Sequence, residues 1–123
     1  MKKINLAISG CLGRMGQQLI VSSRSNKNFK LVALTENKPI EKRIAGIKIN
    51  LNTDLTFKKT DMIIDFTVPG CTLEILEIAL KLKKRVIIGT TGFTLKEENL
   101  IKRYSKNFNQ KTKLITHLQS GRM

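Results

Sequence analysis

Apolar residues along the chain gather into short runs separated by segments of helical period. Ile4, Leu6, Ala7 and Ile8 form the first run, and Leu31 to Leu34, within FKLVALTE (residues 29–36), form the second. Met62 to Phe66 is the third and Val86-Ile87-Ile88 the fourth. Runs this short, with polar or glycine boundaries, predict strands covered on both faces. The first run passes through glycines into Gln17, Gln18, Leu19, Ile20 and Val21, which predicts a helix over Met15 to Ser25, closed by polar Asn26 to Asn28. Leu73, Leu76, Ala79, Leu80 and Leu82 share one face of a second predicted helix, Thr72 to Lys83, and Ile75 and Ile78 widen that face. Lys81, Lys83 and Lys84 at its end suit the negative pole of the helix dipole. Thr94 with Glu97 three residues on predicts a capping box and a third helix running to about Lys106.

The pattern weakens from Asn37 to Thr60. Lys38-Pro39 marks a turn, the alternation of Ile47, Ile49 and Leu51 predicts a short edge strand within Ile44 to Leu51, and Asp54 to Lys59 suits a helical turn. Leu114-Ile115 adds a fifth short strand. Strands alternating with helices predict an α/β fold, a Rossmann-like parallel sheet with helices on both faces. Ligands of such sheets bind beyond the carboxyl ends of the strands.

Three features fall at that edge. Gly10, Gly13 and Gly16 lie where the first strand enters the first helix. Free backbone N–H groups and the positive end of a helix dipole meet there, which suits a phosphate. Gly10 allows a tight turn, Gly13 lets a pyrophosphate approach the backbone, and Gly16 lets the helix lie close to the strand. The spacing is GxxGxxG rather than the commoner GxGxxG, and a plain strand–helix turn with packing glycines has the same pattern. Glu36 follows Gly16 by 20 residues. An acid at the end of the second strand accepts hydrogen bonds from an adenosine ribose, although a surface glutamate at a strand end reads the same way. Gly89-Thr90-Thr91-Gly92 is the third feature, and the coincidence of all three favours a dinucleotide site.

Composition adds bounds. A chain of 123 residues that is 41% hydrophobic suits one domain with its own core. No apolar run approaches the roughly 20 residues of a membrane span. The opening MKKINLAISG begins like a signal peptide but breaks at Gly10, so a cytoplasmic location is expected. There a disulfide between Cys11 and Cys71 is not expected, and neither thiol has a catalytic partner in its local sequence. The net charge of +14 raises the question of nucleic acid. Basic residues are spread along the chain, lysine outnumbers arginine 17 to 6, and aromatics are only 5%. That favours a solvated basic surface over base reading or stacking.

GCLGRMG after the first strand, Glu36, IDFT at Ile64 to Thr67 and IGTTGF at Ile88 to Phe93 resemble the 4-hydroxy-tetrahydrodipicolinate (dihydrodipicolinate) reductases of lysine and diaminopimelate biosynthesis. The resemblance covers roughly Lys3 to Lys106. It implies a domain over residues 1–106 that binds NADH or NADPH, and a cyclic unsaturated dicarboxylate as hydride acceptor. It further implies that Gly10, Cys11, Leu12, Gly13, Arg14 and Met15 form the pyrophosphate loop and that Glu36 binds the ribose. Gly89, Thr90 and Thr91 would lie beside the nicotinamide, with Thr91 also reaching a substrate carboxylate. Full-length members of the family are homotetramers.

The pattern departs from the family after that stretch. The family's second domain carries a motif of the form HHxxKxDxPSGTA, which has no match here, and residues 107–123 read as a divergent tail, as a truncated or frameshifted gene would produce. The single histidine, His117, reads as a surface or strand-end residue, and no catalytic proton donor and no metal site is identifiable. The leading expectation is therefore a nucleotide-binding domain without turnover of its own. A nucleotide-sensing or scaffold module is the alternative, and a basic nucleic-acid binder a third.

Overall fold

The computed structural model describes residues 2–108 and 114–116. Strand β1 (Ile4–Ser9) leads into helix α1 (Arg14–Arg24) and strand β2 (Phe29–Thr35). Two short strands follow, β3 (Arg43–Ile44) and β4 (Ile47–Asn50), then a single helical turn, α2 (Asp54–Phe57). Strand β5 (Met62–Asp65), helix α3 (Pro69–Leu82), strand β6 (Arg85–Ile88), helix α4 (Leu95–Ser105) and strand β7 (Leu114–Thr116) complete the order. The strands form one sheet in the order β3-β4-β2-β1-β5-β6-β7. All pairings are parallel except that of β3 with β4. The chain thus winds leftward from β1 and then rightward from it, the doubly wound arrangement expected from the apolar pattern.

Parallel register sorts the strand residues onto two faces. Ala7 pairs with Ile63 and Ile63 with Val86, so these three share a face. They are buried with Phe57 of α2, Ile75, Leu76 and Ala79 of α3, and Ile101 of α4. Ile8, Ile64 and Ile87 share the opposite face. There Leu6, Ile8 and Leu34 are buried with Ile20 of α1, and Met62 and Ile64 lie at the margin, only partly buried. Helices therefore cover both faces, one by α1 and the other by α2, α3 and α4.

Three boundaries differ from the sequence reading. The edge strand expected within Ile44 to Leu51 is a hairpin, because Ala45 (φ 56°) and Gly46 (φ 78°) make a two-residue turn with both residues left-handed. Helix α3 begins at Pro69 rather than Thr72, since the first position of a helix needs no N–H and suits the fixed φ of proline. Strand β2 stops at Thr35, one residue early, although Glu36 still donates its N–H to the Asn50 carbonyl (3.0 Å). The capping box is present: Glu97 N–H donates to Thr94 Oγ1 (3.1 Å) and Thr94 N–H to Glu97 Oε1 (2.8 Å).

Candidate functional site

The loops after β1, β2, β5 and β6 meet at the carboxyl edge of the sheet. Gly10 has φ +84°, and a Cβ there would lie 2.1 Å from the Phe66 carbonyl oxygen. At Gly16 a Cβ would come within 2.1 Å of the Gly10 carbonyl oxygen, and at Gly89 within 2.1 Å of the Phe66 ring. These glycines let the three loops touch one another. Gly13 differs. It has extended φ and ψ of −72° and 169°, and its nearest contact to a built Cβ is the Gly10 oxygen at 3.4 Å. The protein's own packing hardly requires glycine at this position.

The start of α1, like that of α3, has no side-chain cap and no acid in its first turn. The N-cap of α1 is Gly13. The N–H groups of Arg14, Met15 and Gly16 therefore lack the caps that Thr94 gives α4 and Thr53 gives α2. Arg14 and Met15 are also exposed. The loop before them is fixed from within. Gly10 and Cys11 N–H groups donate to the Thr35 carbonyl (3.0 and 3.4 Å), Gly13 N–H to the Gly10 carbonyl (3.1 Å), and Gln17 Nε2 to the Leu12 carbonyl (2.7 Å). Glu36 joins the same loop, its Oε2 accepting the Leu12 N–H at 2.8 Å. The acid from β2 and the glycine loop from β1 are thus one unit. One consequence is measurable: Gly10→Ala combines a disfavoured φ with a backbone clash and should cost more than about 2 kcal/mol in urea unfolding.

The remaining expected residues separate by exposure. Cys11 points into the core beneath α1, fully buried, so only its backbone faces the edge. Burial, and then the nearby Glu36 charge, push its thiol up to about 11. Cys71 is also buried; burial raises its thiol, which accepts Asn52 Nδ2 (3.0 Å), and Asn52 Oδ1 in turn accepts Ser9 Oγ (3.1 Å). Both thiols are free and protonated at neutral pH, which suits packing rather than nucleophilic chemistry. Thr90 is 2% exposed and its hydroxyl is held internally, whereas Thr91 stands exposed on the loop. His117 lies outside the described residues. No group of His, Cys, Asp or Glu able to hold a metal occurs among the described residues. No described helix is long and apolar enough to cross a membrane. The basic pairs Lys2-Lys3, Lys58-Lys59 and Lys83-Lys84 precede β1, β5 and β6, at the edge opposite these loops.

Sequence reasoning did not single out Asp65, Thr67 or Thr72, which tie the ends of β5, α3 and β6 together. The available signal was a carboxylate inside the apolar run MIIDF.

A doubly wound sheet, an uncapped glycine turn at the first strand and an acid on the second define a dinucleotide-binding domain of the Rossmann type. Residues 4–117 match the family model described as dihydrodipicolinate reductase, N-terminus, and the chain belongs to that family. A 4-hydroxy-tetrahydrodipicolinate reductase of Pelagibacter ubique (strain HTCC1062) is 78% identical over 106 residues, 86% of this chain and 41% of that protein. One from Buchnera aphidicola (subsp. Acyrthosiphon pisum, strain 5A) is 40% identical, over 85% of this chain and 43% of its own length. The dipicolinate-bound dihydrodipicolinate reductase from Paenisporosarcina sp. TG-14 superposes with a TM-score of 0.71 at 28% identity, covering 86% of this chain and 44% of that one. The chain therefore spans less than half the length of the relatives it matches. A homoserine dehydrogenase from S. aureus, at 20% identity and TM-score 0.71, shares the fold.

Proposed function

We propose that this domain binds NADH or NADPH and serves the reduction of 4-hydroxy-tetrahydrodipicolinate in lysine and diaminopimelate biosynthesis, in the cytoplasm. The uncapped first turn of α1 at the glycine loop carries the reading, since its free N–H groups suit a pyrophosphate and a Cβ at Gly13 would meet only the Gly10 oxygen, at 3.4 Å. Gly10 to Met15 would hold the pyrophosphate through backbone N–H groups, and Glu36 would accept the adenosine ribose hydroxyls. The order β2-β1-β5-β6 sets the loops after β5 and β6, where Gly89, Thr90 and Thr91 lie, beside the glycine loop, which supports their holding the other half of a dinucleotide. Thr91, exposed there, is the residue suited to a substrate carboxylate. The nicotinamide, when bound, supplies hydride to the conjugated imine. This chain alone holds the nucleotide without turnover, because no proton donor or second carboxylate anchor stands at this edge among the described residues.

Cofactor choice follows from Glu36. A carboxylate held at the glycine loop repels a 2′-phosphate, and Lys38, two residues on, softens that repulsion as a mobile charge. The expected result is a modest preference for NADH. Glu36→Gln keeps an acceptor for the Leu12 N–H and removes the charge, so the ratio of NADPH to NADH affinity should rise by about tenfold, the equivalent of ~1.4 kcal/mol. Paired fluorescence titrations of the parent and E36Q measure it, and an unchanged ratio would remove Glu36 from the ribose end.

A further inference from the structure

Asp65 closes β5 with no exposed surface at all. Its Oδ1 accepts the Thr67 hydroxyl at 2.5 Å, and its Oδ2 accepts the hydroxyls of Thr72 and of Thr90, the latter at 3.0 Å. Its backbone carbonyl also accepts the Gly89 N–H at 2.7 Å. Thr90 Oγ1 in turn accepts the Thr67 N–H at 2.8 Å. With Asp65 ionised its oxygens only accept, so these hydroxyls are the donors. The single hydroxyl proton of Thr90 is therefore committed to Asp65, and one of its lone pairs to Thr67.

The only ion pair between described side chains, Lys81 with Asp54 (2.6 Å), lies elsewhere, so hydroxyls rather than a cation answer the Asp65 charge. Burial pushes its carboxyl above the ordinary range, opposed by the hydrogen bonds from Thr67, Thr72 and Thr90. A buried carboxylate of this kind is costly to a fold, and an apolar strand end would be cheaper. What the carboxylate achieves is placement. It holds the Thr90 side chain inward, buried, while the adjoining Thr91 and Gly92 are exposed.

We infer that Asp65 is the positioning residue for the nicotinamide half of the site: through the Thr90 hydroxyl it fixes the Gly89-Thr90-Thr91 backbone toward the cofactor while leaving the adenosine half untouched. The inference rests on the dinucleotide reading proposed above. It separates the two halves of the site by cause. The glycine loop and Glu36 are held by bonds among β1, β2 and α1, whereas the threonine loop is held by Asp65.

The experiment compares binding of NADH with binding of ADP-ribose, which lacks only the nicotinamide ring, to the full 123-residue chain by calorimetry. In Asp65→Asn and Thr90→Val, NADH affinity should fall at least tenfold while ADP-ribose affinity stays within twofold. Thr90→Ser keeps the hydroxyl and should retain NADH affinity within twofold. The two Thr90 variants carry the test should D65N fail to fold. Equal loss of both ligands in T90V would reduce Asp65 to a general structural role and overturn the inference, as would unchanged NADH binding in T90V. A parent chain that binds neither ligand would instead overturn the dinucleotide reading itself, and the inference with it.

Discussion

Assayed alone with NADH and synthase-generated substrate, the 123-residue chain is expected to show no oxidation of NADH above the enzyme-free rate. Holding donor and acceptor in a productive contact can be worth roughly 7–11 kcal/mol, and it requires both reactants to be gripped. At the carboxyl edge Thr91 is exposed, the residue proposed above for one carboxylate of the acceptor. General acid catalysis contributes about 10²–10⁴-fold, and the carbon that gains negative charge on hydride addition has no donor beside it here. Asp65 is buried at this edge, and its oxygens are already engaged by three threonines. Cys11 and Cys71 point into the core. Adding the remaining portion of a full-length relative as a separate polypeptide should restore turnover if it docks on this rim. Turnover by the chain alone, abolished in Thr91→Val, would contradict the account.

The second large effect is at Gly13. Gly13→Val should weaken NADH binding by at least about 100-fold while leaving the fold intact. The backbone at Gly13 is extended, a conformation that valine favours, and a Cβ there meets only the Gly10 oxygen at an ordinary distance. The structural cost is loss of a tolerable N-cap residue, about 1 kcal/mol. The cost to binding is far larger, because branched carbons would occupy the place where a pyrophosphate approaches the loop. The same substitution at Gly16 would drive into the Gly10 carbonyl and damage the fold first. Thermal unfolding beside fluorescence titration distinguishes the cases, and G13V with unchanged affinity would place the nucleotide elsewhere.

Strands β1, β2, β5 and β6 were legible because each is built on a short apolar run, the pattern that burial on both faces demands. The β3–β4 hairpin was not. Its strands are two and four residues long, and its turn places Ala45, a residue with no preference for positive φ, at φ 56°. The start of α3 was read at Thr72, three residues late, because proline breaks helices within, whereas Pro69 here opens one. Glycine loop, acid and threonine loop were legible as three separate features at one edge. What sequence could not show was how they are joined. The Leu12–Glu36 bond spans 24 residues, and the Asp65 partners lie 2, 7 and 25 residues away on different elements. Spacing of that kind has no periodic signature.

The central claim is that the carboxyl edge of this sheet is a dinucleotide site. Titrating ¹⁵N-labelled chain with NADH and following backbone amide resonances tests it residue by residue. The account predicts saturable shifts at Gly10 to Gly16, at Glu36 and at Gly89 to Thr91, with the residues around Lys2-Lys3, Lys58-Lys59 and Lys83-Lys84 unmoved. Shifts confined to that basic edge, or a spectrum that NADH leaves unchanged, would contradict it.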